Sequence, residues 1–191
     1  MGVTTEKTTN KSMVMWIFSA VILYIILSFI PIVHYVIYPF KLFSTFVHES
    51  CHGLASIFTG GSWHKFLIGS DGSGLAYTSG GLRMFIIPAG YIGTALIGGI
   101  LLLLSSKPGR ANAILIVIAI IISAITIIFA RNTAAIILGI GFALVIILIA
   151  IKTKGFFPAF FLNFLAVSLS LNALLDVRVL FLHTTANMGR N

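Results

Sequence analysis

The 191-residue sequence is poor in charge, in acid and in cysteine. Only 8% of its residues are charged, four are Asp or Glu, and the one cysteine is Cys51. A single cysteine excludes an intrachain disulfide and leaves no redox compartment to infer. So little charge, together with 59% hydrophobic residues and a mean hydropathy of +1.11, also excludes an ordinary soluble domain.

The formal net charge of +8 raises the question of nucleic-acid binding. The Lys and Arg residues are scattered between apolar segments and do not form a patch with interleaved aromatics, so we predict no nucleic-acid partner. Cations between apolar segments are typical of the loops of a membrane protein. The sequence therefore predicts an integral, multi-pass protein that lies in the lipid bilayer.

Long apolar stretches predict the fold class, an all-α polytopic membrane protein with about six transmembrane helices. Each stretch is long enough to cross about 30 Å of hydrocarbon while satisfying its own backbone. The predicted helices cover about residues 13 to 30, 41 to 59, 85 to 104, 113 to 130, 134 to 151 and 156 to 182. They form one domain over residues 13 to 183, between a polar, disordered tail of residues 1 to 12 and a polar C-terminal tail of residues 184 to 191.

Residues 62 to 80 interrupt the helical pattern. Two short extended stretches, 63 to 68 and 75 to 78, flank an Asp71-Gly72 turn signal and predict a β-hairpin-like segment after the second helix. An ordinary connecting loop is the alternative. A hairpin would have a free edge that could pair with an extended substrate.

The second predicted helix carries the pattern HExxH between His48 and His52. Residues four apart lie on one face of a helix, so the two histidines could hold one metal ion with Glu49 turned toward it. Zinc is the expected metal, because neutral imidazole binds it well and an open coordination position activates water near neutral pH. Thr45 and Ser56 continue this polar stripe, which must face protein or water rather than lipid.

A third metal ligand is expected from the last helix. Of the four carboxylates in the chain, only Glu49 and Asp176 lie within apolar segments. An oxygen from Asp176 would complete a three-ligand zinc and compensate a buried charge. Pairing of Asp176 with Arg178 near the helix end is the alternative. Cys51 could be the third ligand instead, but it points off the face that carries the histidines.

Asn172 lies one helical turn before Asp176 on the same face. Its amide could bind a backbone group of a substrate, or it could bridge two helices by hydrogen bonding. In the third predicted helix, Gly90, Thr94 and Gly98 recur every four residues. Small residues at this spacing predict a close-packing face against the metal-bearing helix.

These motifs together resemble the site-2 protease family of intramembrane zinc metalloproteases. The resemblance consists of HExxH in one predicted transmembrane helix, a glycine-rich extended segment after it, and Leu175-Asp176 in a late helix. It covers about residues 41 to 104 and 160 to 178. The chain is most similar to small members of the family with few added domains.

The resemblance implies a role for each residue of the site. His48, His52 and Asp176 would bind Zn²⁺, and Glu49 would be the general base. The late motif of the family usually has prolines before Leu-Asp and a glycine after it. Here Val177 follows Asp176, and no proline is near.

The function that this resemblance implies is endopeptidase activity on a membrane-spanning protein substrate. A helical peptide bond is shielded by its own hydrogen bonds, so the substrate must be locally unwound, and Asn172 and the hairpin edge are candidates for holding it extended. A non-proteolytic membrane protein with a structural or metal-handling site is one alternative. A protease-like scaffold that binds transmembrane partners is another, and the ligand residues alone do not separate these functions.

Charge bias gives a prediction of orientation. The side with the N-terminal tail, the hairpin, Arg131 and the C-terminal end holds slightly more Lys and Arg than the other side. By the positive-inside rule, we expect both termini to be cytosolic.

Overall fold

The computed structural model describes residues 34 to 69, 71 to 105 and 109 to 188, and positions 15, 18, 19, 21 to 23 and 26. Side chains are described from Tyr38 in the first helix below and as far as Asp176 in the last. The expected tail of residues 1 to 12 and most of the first predicted span lie outside the described residues. The described positions between 15 and 26 are helical.

The described chain is mostly helical, with one small antiparallel sheet. Its elements are α1 (His34–Phe58), β1 (Ser62–Ile68), β2 (Gly74–Ser79), α2 (Arg83–Ser105), α3 (Ala111–Phe129), α4 (Thr133–Lys152) and α5 (Phe156–Met188). The predicted hairpin is confirmed, with each strand one or two residues longer than expected. Helices α2, α3 and α4 agree with the predicted spans to within about two residues, whereas α5 continues six residues past its expected end.

Helix α1 begins seven residues before the predicted start at Lys41, and Pro39 lies inside it. Proline lacks a backbone donor and usually ends or kinks a helix. Aromatic packing on the next residue offsets this local signal. The ring of Phe40 lies 4.6 Å from that of Phe164 and 6.1 Å from that of Phe142, which ties the start of α1 to α5 and α4.

Four of the described helices are long and apolar enough to cross a membrane: Arg83–Ser105, Ala111–Phe129, Thr133–Lys152 and Phe156–Asp176. The chain is therefore an integral membrane protein. Helix α1 is not among these four, because its polar stripe lowers its hydropathy, although its 25 residues give it a length of about 37 Å. Six transmembrane helices thus remain a prediction.

The hairpin folds back along α1 instead of projecting from the bundle. Near the base of the hairpin, Trp63 packs so closely on Gly53 that a Cβ there would overlap the indole. Further along, the Phe66 ring lies 5.1 Å from that of Phe46. At the tip, the Thr45 hydroxyl donates a 2.9 Å hydrogen bond to the Gly72 carbonyl. The hairpin therefore runs beside the HExxH segment.

The outer edge of β1 is closed by the loop between α3 and α4. The Arg131 N–H donates to the Phe66 carbonyl at 3.3 Å. The Asn132 amide accepts from the Ile68 N–H at 3.2 Å and donates to its carbonyl at 2.7 Å. Phe66 and Ile68 thus direct their backbone groups away from β2, and their partners Ala76 and Gly74 direct theirs away from β1. The outer edge of β2 pairs with no other strand among the described residues, and we call it the free edge of the sheet.

The small-residue face of α2 contacts two helices. Gly90, Thr94 and Gly98 are all buried, as predicted. Gly90 meets the histidines of α1, whereas a Cβ at Gly98 would lie 3.0 Å from the Ala166 carbonyl of α5. The expected packing against the metal-bearing helix is therefore correct for the first half of this face, and the second half packs on α5.

Candidate metal centre

The two histidines of the HExxH pattern converge on one point. Their Nε2 atoms lie 3.0 Å apart, and their rings are edge to face. His52 Nδ1 lies 2.6 Å from the Ile86 carbonyl. Because a carbonyl can only accept, Nδ1 must carry the proton in that hydrogen bond, which leaves Nε2 of the neutral ring with its lone pair. This is the arrangement in which a histidine binds a metal.

Gly90 provides the space in which the two Nε2 atoms meet. A Cβ at this position would lie 2.5 Å from Nε2 of His52 and still closer to Nε2 of His48. Only a residue without a side chain lets α2 approach α1 at this level. The histidine donors and the glycine that leaves them room therefore fit a small metal ion such as zinc.

Tyr91 orients the other side of the His48 ring. The two rings are edge to face with centroids 4.7 Å apart. Nδ1 of His48 is buried and has no hydrogen-bond partner among the described residues. Contacts with Tyr91 on one side and His52 on the other thus set the orientation of the His48 ring. The sequence offered no signal for Tyr91, because the contact joins two helices distant in the chain.

Glu49 is buried beside the histidines, with 7% of its surface exposed. The strand β2 packs directly on it, and a Cβ at Gly74 would lie 2.8 Å from Glu49 Oε1. The backbone N–H of Ala76 interacts with the same carboxylate. The free edge of the sheet therefore lies against the candidate general base.

Most of the predicted site residues open into one polar cavity of about 530 Å³. Its lining comprises Lys41, Thr45, His48, Glu49, Asp71, Gly72, Ser73, Gly74, Tyr91 and Asp176. The cavity thus joins α1, the hairpin, α2 and α5. Polar backbone and side chains can lie at membrane depth where they line such a cavity.

Asp176 lies across this cavity from α1, on an exposed part of α5. Among the described residues, no group of three His, Cys, Asp or Glu side chains is close enough to hold a metal ion. Lys41 is near enough to Asp176 to act on its carboxylate electrostatically. The structure therefore brings Asp176 to the same cavity as His48 and Glu49, and its role as third ligand stays a prediction. Arg178, its alternative partner, lies beyond the described side chains.

The hairpin tip contributes a second acid, Asp71, whose carboxylate is used by the turn. Its Oδ1 accepts from the Ser73 hydroxyl at 2.6 Å and from the Ser73 N–H at 3.0 Å. These hydrogen bonds hold the pKa of Asp71 below its usual value. Asp71 is thus a turn residue, as the Asp-Gly signal predicts.

The two remaining candidates point elsewhere. The Asn172 amide donates to the Ser168 carbonyl of its own helix at 2.8 Å, and Asn172 is not among the residues that line the polar cavity. Its role in substrate binding stays a prediction. Cys51 is buried, and a Cβ at Gly93 of α2 would lie 2.5 Å from its Sγ. Cys51 lines a different cavity, so it is poorly placed to be the third ligand.

Comparison with known proteins gives one match. A family model described as Peptidase M50B-like matches residues 7–189. No curated protein and no solved structure matches the chain.

Proposed function

Because the chain belongs to the Peptidase M50B-like family, and so to the site-2 proteases, we propose that it is an intramembrane zinc metalloendopeptidase. Its substrates would be membrane-spanning proteins. The observation that carries the proposal is the convergence of His48 Nε2 and His52 Nε2 at the wall of a polar cavity that His48 and Glu49 line within an apolar bundle. A buried acid next to two histidines is costly in a membrane, and such residues therefore usually mark a functional site.

His48 and His52 would hold the zinc, with Asp176 as the third ligand from α5. When bound, zinc would supply the Lewis acidity that activates a water molecule and polarises the scissile carbonyl. The His52 side chain is held for this task by its hydrogen bond to the Ile86 carbonyl. The His48 ring is held by its contact with Tyr91.

Glu49 would move the proton. Its carboxylate takes a proton from the attacking water and returns it to the leaving amine, work that general acid–base catalysis assigns to one positioned group. The contact with the Ala76 N–H holds the carboxylate in place at the cavity wall. Close packing of Gly74 leaves no room for a side chain between β2 and the acid.

Strand β2 would hold the substrate extended. Gly74 and Ala76 direct their backbone groups away from β1, whose own outer edge is already closed by Asn132. Because the Ala76 N–H already contacts Glu49, an unwound substrate segment would pair with the next outward-facing position of this edge, Thr78, and so lie next to Glu49. Asn172 remains a candidate for a further contact to the substrate. We also propose that both termini are cytosolic, from the distribution of Lys and Arg.

The test is Glu49→Gln, which keeps nearly the same shape but cannot transfer a proton. We expect the variant to fold, to bind about one zinc per chain and to lose about 10²- to 10⁴-fold in cleavage of a panel of single-span substrates. Asp71→Asn is the matched control, since it makes the same acid-to-amide change in the same cavity at a turn residue. It should cleave like the parent. Undiminished cleavage by Glu49→Gln would refute the enzymatic assignment.

A zinc-binding scaffold or metal-handling protein that binds transmembrane partners without cutting them is the second candidate. It is favoured by Val177, which stands where the family usually has glycine. It is also favoured because no three His, Cys, Asp or Glu side chains among the described residues are close enough to hold a metal ion. In this function both parent and Glu49→Gln bind zinc and neither cleaves any substrate. The paired measurement of zinc content and cleavage therefore separates the two candidates.

A further inference from the structure

A second, larger cavity lies on the opposite side of α1 from the histidines. It has a volume of about 690 Å³ and runs between α2 and α3, with α1 as its floor. Val47, Cys51 and Leu54 form this floor, so it is the rear face of the helix that carries the histidines. Few direct contacts join α2 to α3. We call this cavity the interhelical groove.

The lining of the interhelical groove is apolar except at one end. The Ser50 hydroxyl is already used by its own helix, since it donates to the Phe46 carbonyl at 2.7 Å. Arg110, which immediately precedes α3, is the one charged residue among those that line the groove, and no lining residue carries a carboxylate. Arg110 is exposed. The groove therefore combines an apolar channel with a cation at its end.

The length and the lining of the groove indicate what can occupy it. From Arg110 to Ile125 its wall follows α3 for about 22 Å, at a rise of about 1.5 Å per residue. An extended peptide would leave its backbone without hydrogen-bond partners in this apolar lining. An alkyl chain has no polar group to satisfy, and a phosphate at its head would complement the one cation of the lining.

We propose that the interhelical groove binds one phospholipid, with an acyl chain between α2 and α3 and the phosphate on Arg110. A guanidinium pairs with a phosphate through parallel hydrogen bonds, and basic sites between transmembrane helices bind lipid headgroups. The acyl chain would pack on Cys51 and Leu54, on the rear of the metal helix. It would thereby fill a space that the protein leaves open.

The test measures lipid binding directly. The purified protein in a neutral detergent is mixed with phosphatidylglycerol, or with diacylglycerol of the same acyl chains, and bound lipids are counted by native mass spectrometry. We expect the parent to retain one phosphatidylglycerol and no diacylglycerol. Arg110→Gln should weaken this binding about 10- to 100-fold, because it removes charged hydrogen bonds.

Lys152→Gln is the matched control. Lys152 ends α4 at the same end of the bundle as Arg110, since the Asn112 amide of α3 donates to the Ala150 carbonyl of α4 at 2.6 Å. It does not line the groove. Loss of one nearby surface cation should weaken phosphatidylglycerol binding by no more than about five-fold. An equal loss in both variants would mean diffuse surface attraction and would overturn the site.

A second variant tests the apolar part of the groove. Ala113 is exposed and lines the groove three residues after Arg110, so Ala113→Trp should fill it without removing the cation. We expect this variant to fold and to lose the bound phosphatidylglycerol. The proposal is overturned if both Arg110→Gln and Ala113→Trp bind like the parent, if diacylglycerol binds equally well, or if a dimer forms in place of the lipid complex. Neither zinc nor cleavage is measured, so the outcome is independent of the proposed function.

Discussion

Gly90 shows how one missing side chain shapes the candidate metal centre. A Cβ there would collide with the Nε2 atoms of His48 and His52. Alanine stabilises a helix relative to glycine by about 1 kcal/mol, so Gly90→Ala should not unfold α2 through its intrinsic preference. The collision should instead displace the histidines. We expect zinc affinity to fall about 10- to 100-fold, as when the surroundings of metal ligands are disturbed, measured by competition with a chelator.

The control for this change is Gly99→Ala on the same helix, where a Cβ would meet no atom within 4 Å. It should bind zinc like the parent. If Gly90→Ala also retains parental affinity, the point where the two Nε2 atoms meet is not the metal position.

At the scale of residues, the sequence predicted which side chains meet on one helix better than it predicted the contacts between helices. His48, Glu49 and His52 lie together because the helical period alone brings them together. Gly90 was expected in a packing face, but its contact with the two Nε2 atoms depends on the approach of α2, which no local pattern encodes. Asn172 was predicted either to bind substrate or to bridge two helices, and its amide also donates to the Ser168 carbonyl of its own helix.

At the scale of elements, the free edge of β2 allows a test of whether the backbone of the strand, rather than its side chains, binds the substrate. Backbone groups alternate in direction along a strand, so those of Thr78, like those of Ala76, are directed away from β1. Thr78→Pro removes one N–H from this edge and leaves the hydrogen bonds between β1 and β2 in place. We expect cleavage to fall about two- to ten-fold, the value of one backbone hydrogen bond, with zinc content unchanged.

Thr78→Ala provides the comparison, because it removes the side chain and keeps the N–H. It should cleave at the parental rate. Equal rates for the proline and alanine variants would show that substrate does not add to this edge, and the hairpin would then be a structural element only.

The hairpin was predictable because alternation and the Asp-Gly signal are local. Which of its edges is free was not, since Asn132, which closes β1, lies 64 residues after Ile68. The predicted start of α1 was wrong because it, too, depends on contacts between residues distant in the chain. Pro39 is a strong local signal for a break, and the packing of Phe40 against α4 and α5 outweighs it.

At the scale of the whole molecule, hydropathy predicts the apolar spans well and the site helix poorly. Helices α2, α3 and α4 lie within about two residues of their expected bounds, since a long apolar run in a sequence usually forms a transmembrane helix. Helix α1 is less apolar because it carries the polar stripe. The polar cavity that this stripe lines needs α1, α2, α5 and the hairpin together, and no single stretch of sequence specifies it.

Substitution of Asp176 tests whether α1 and α5 together form one metal site. This residue lies on α5, more than a hundred residues after His48 and Glu49, and lines the same cavity as they do. If it is the third ligand, Asp176→Ala reduces a three-ligand site to two, and zinc affinity should fall by at least about ten-fold. Asp71→Ala removes the other exposed acid that lines the cavity. Cys51→Ala removes the alternative sulfur ligand. Metal analysis of the three variants should show a loss for Asp176→Ala alone. Parental zinc binding by Asp176→Ala, with a loss in Asp71→Ala or Cys51→Ala, would move the third ligand to the hairpin tip or to the rear of α1.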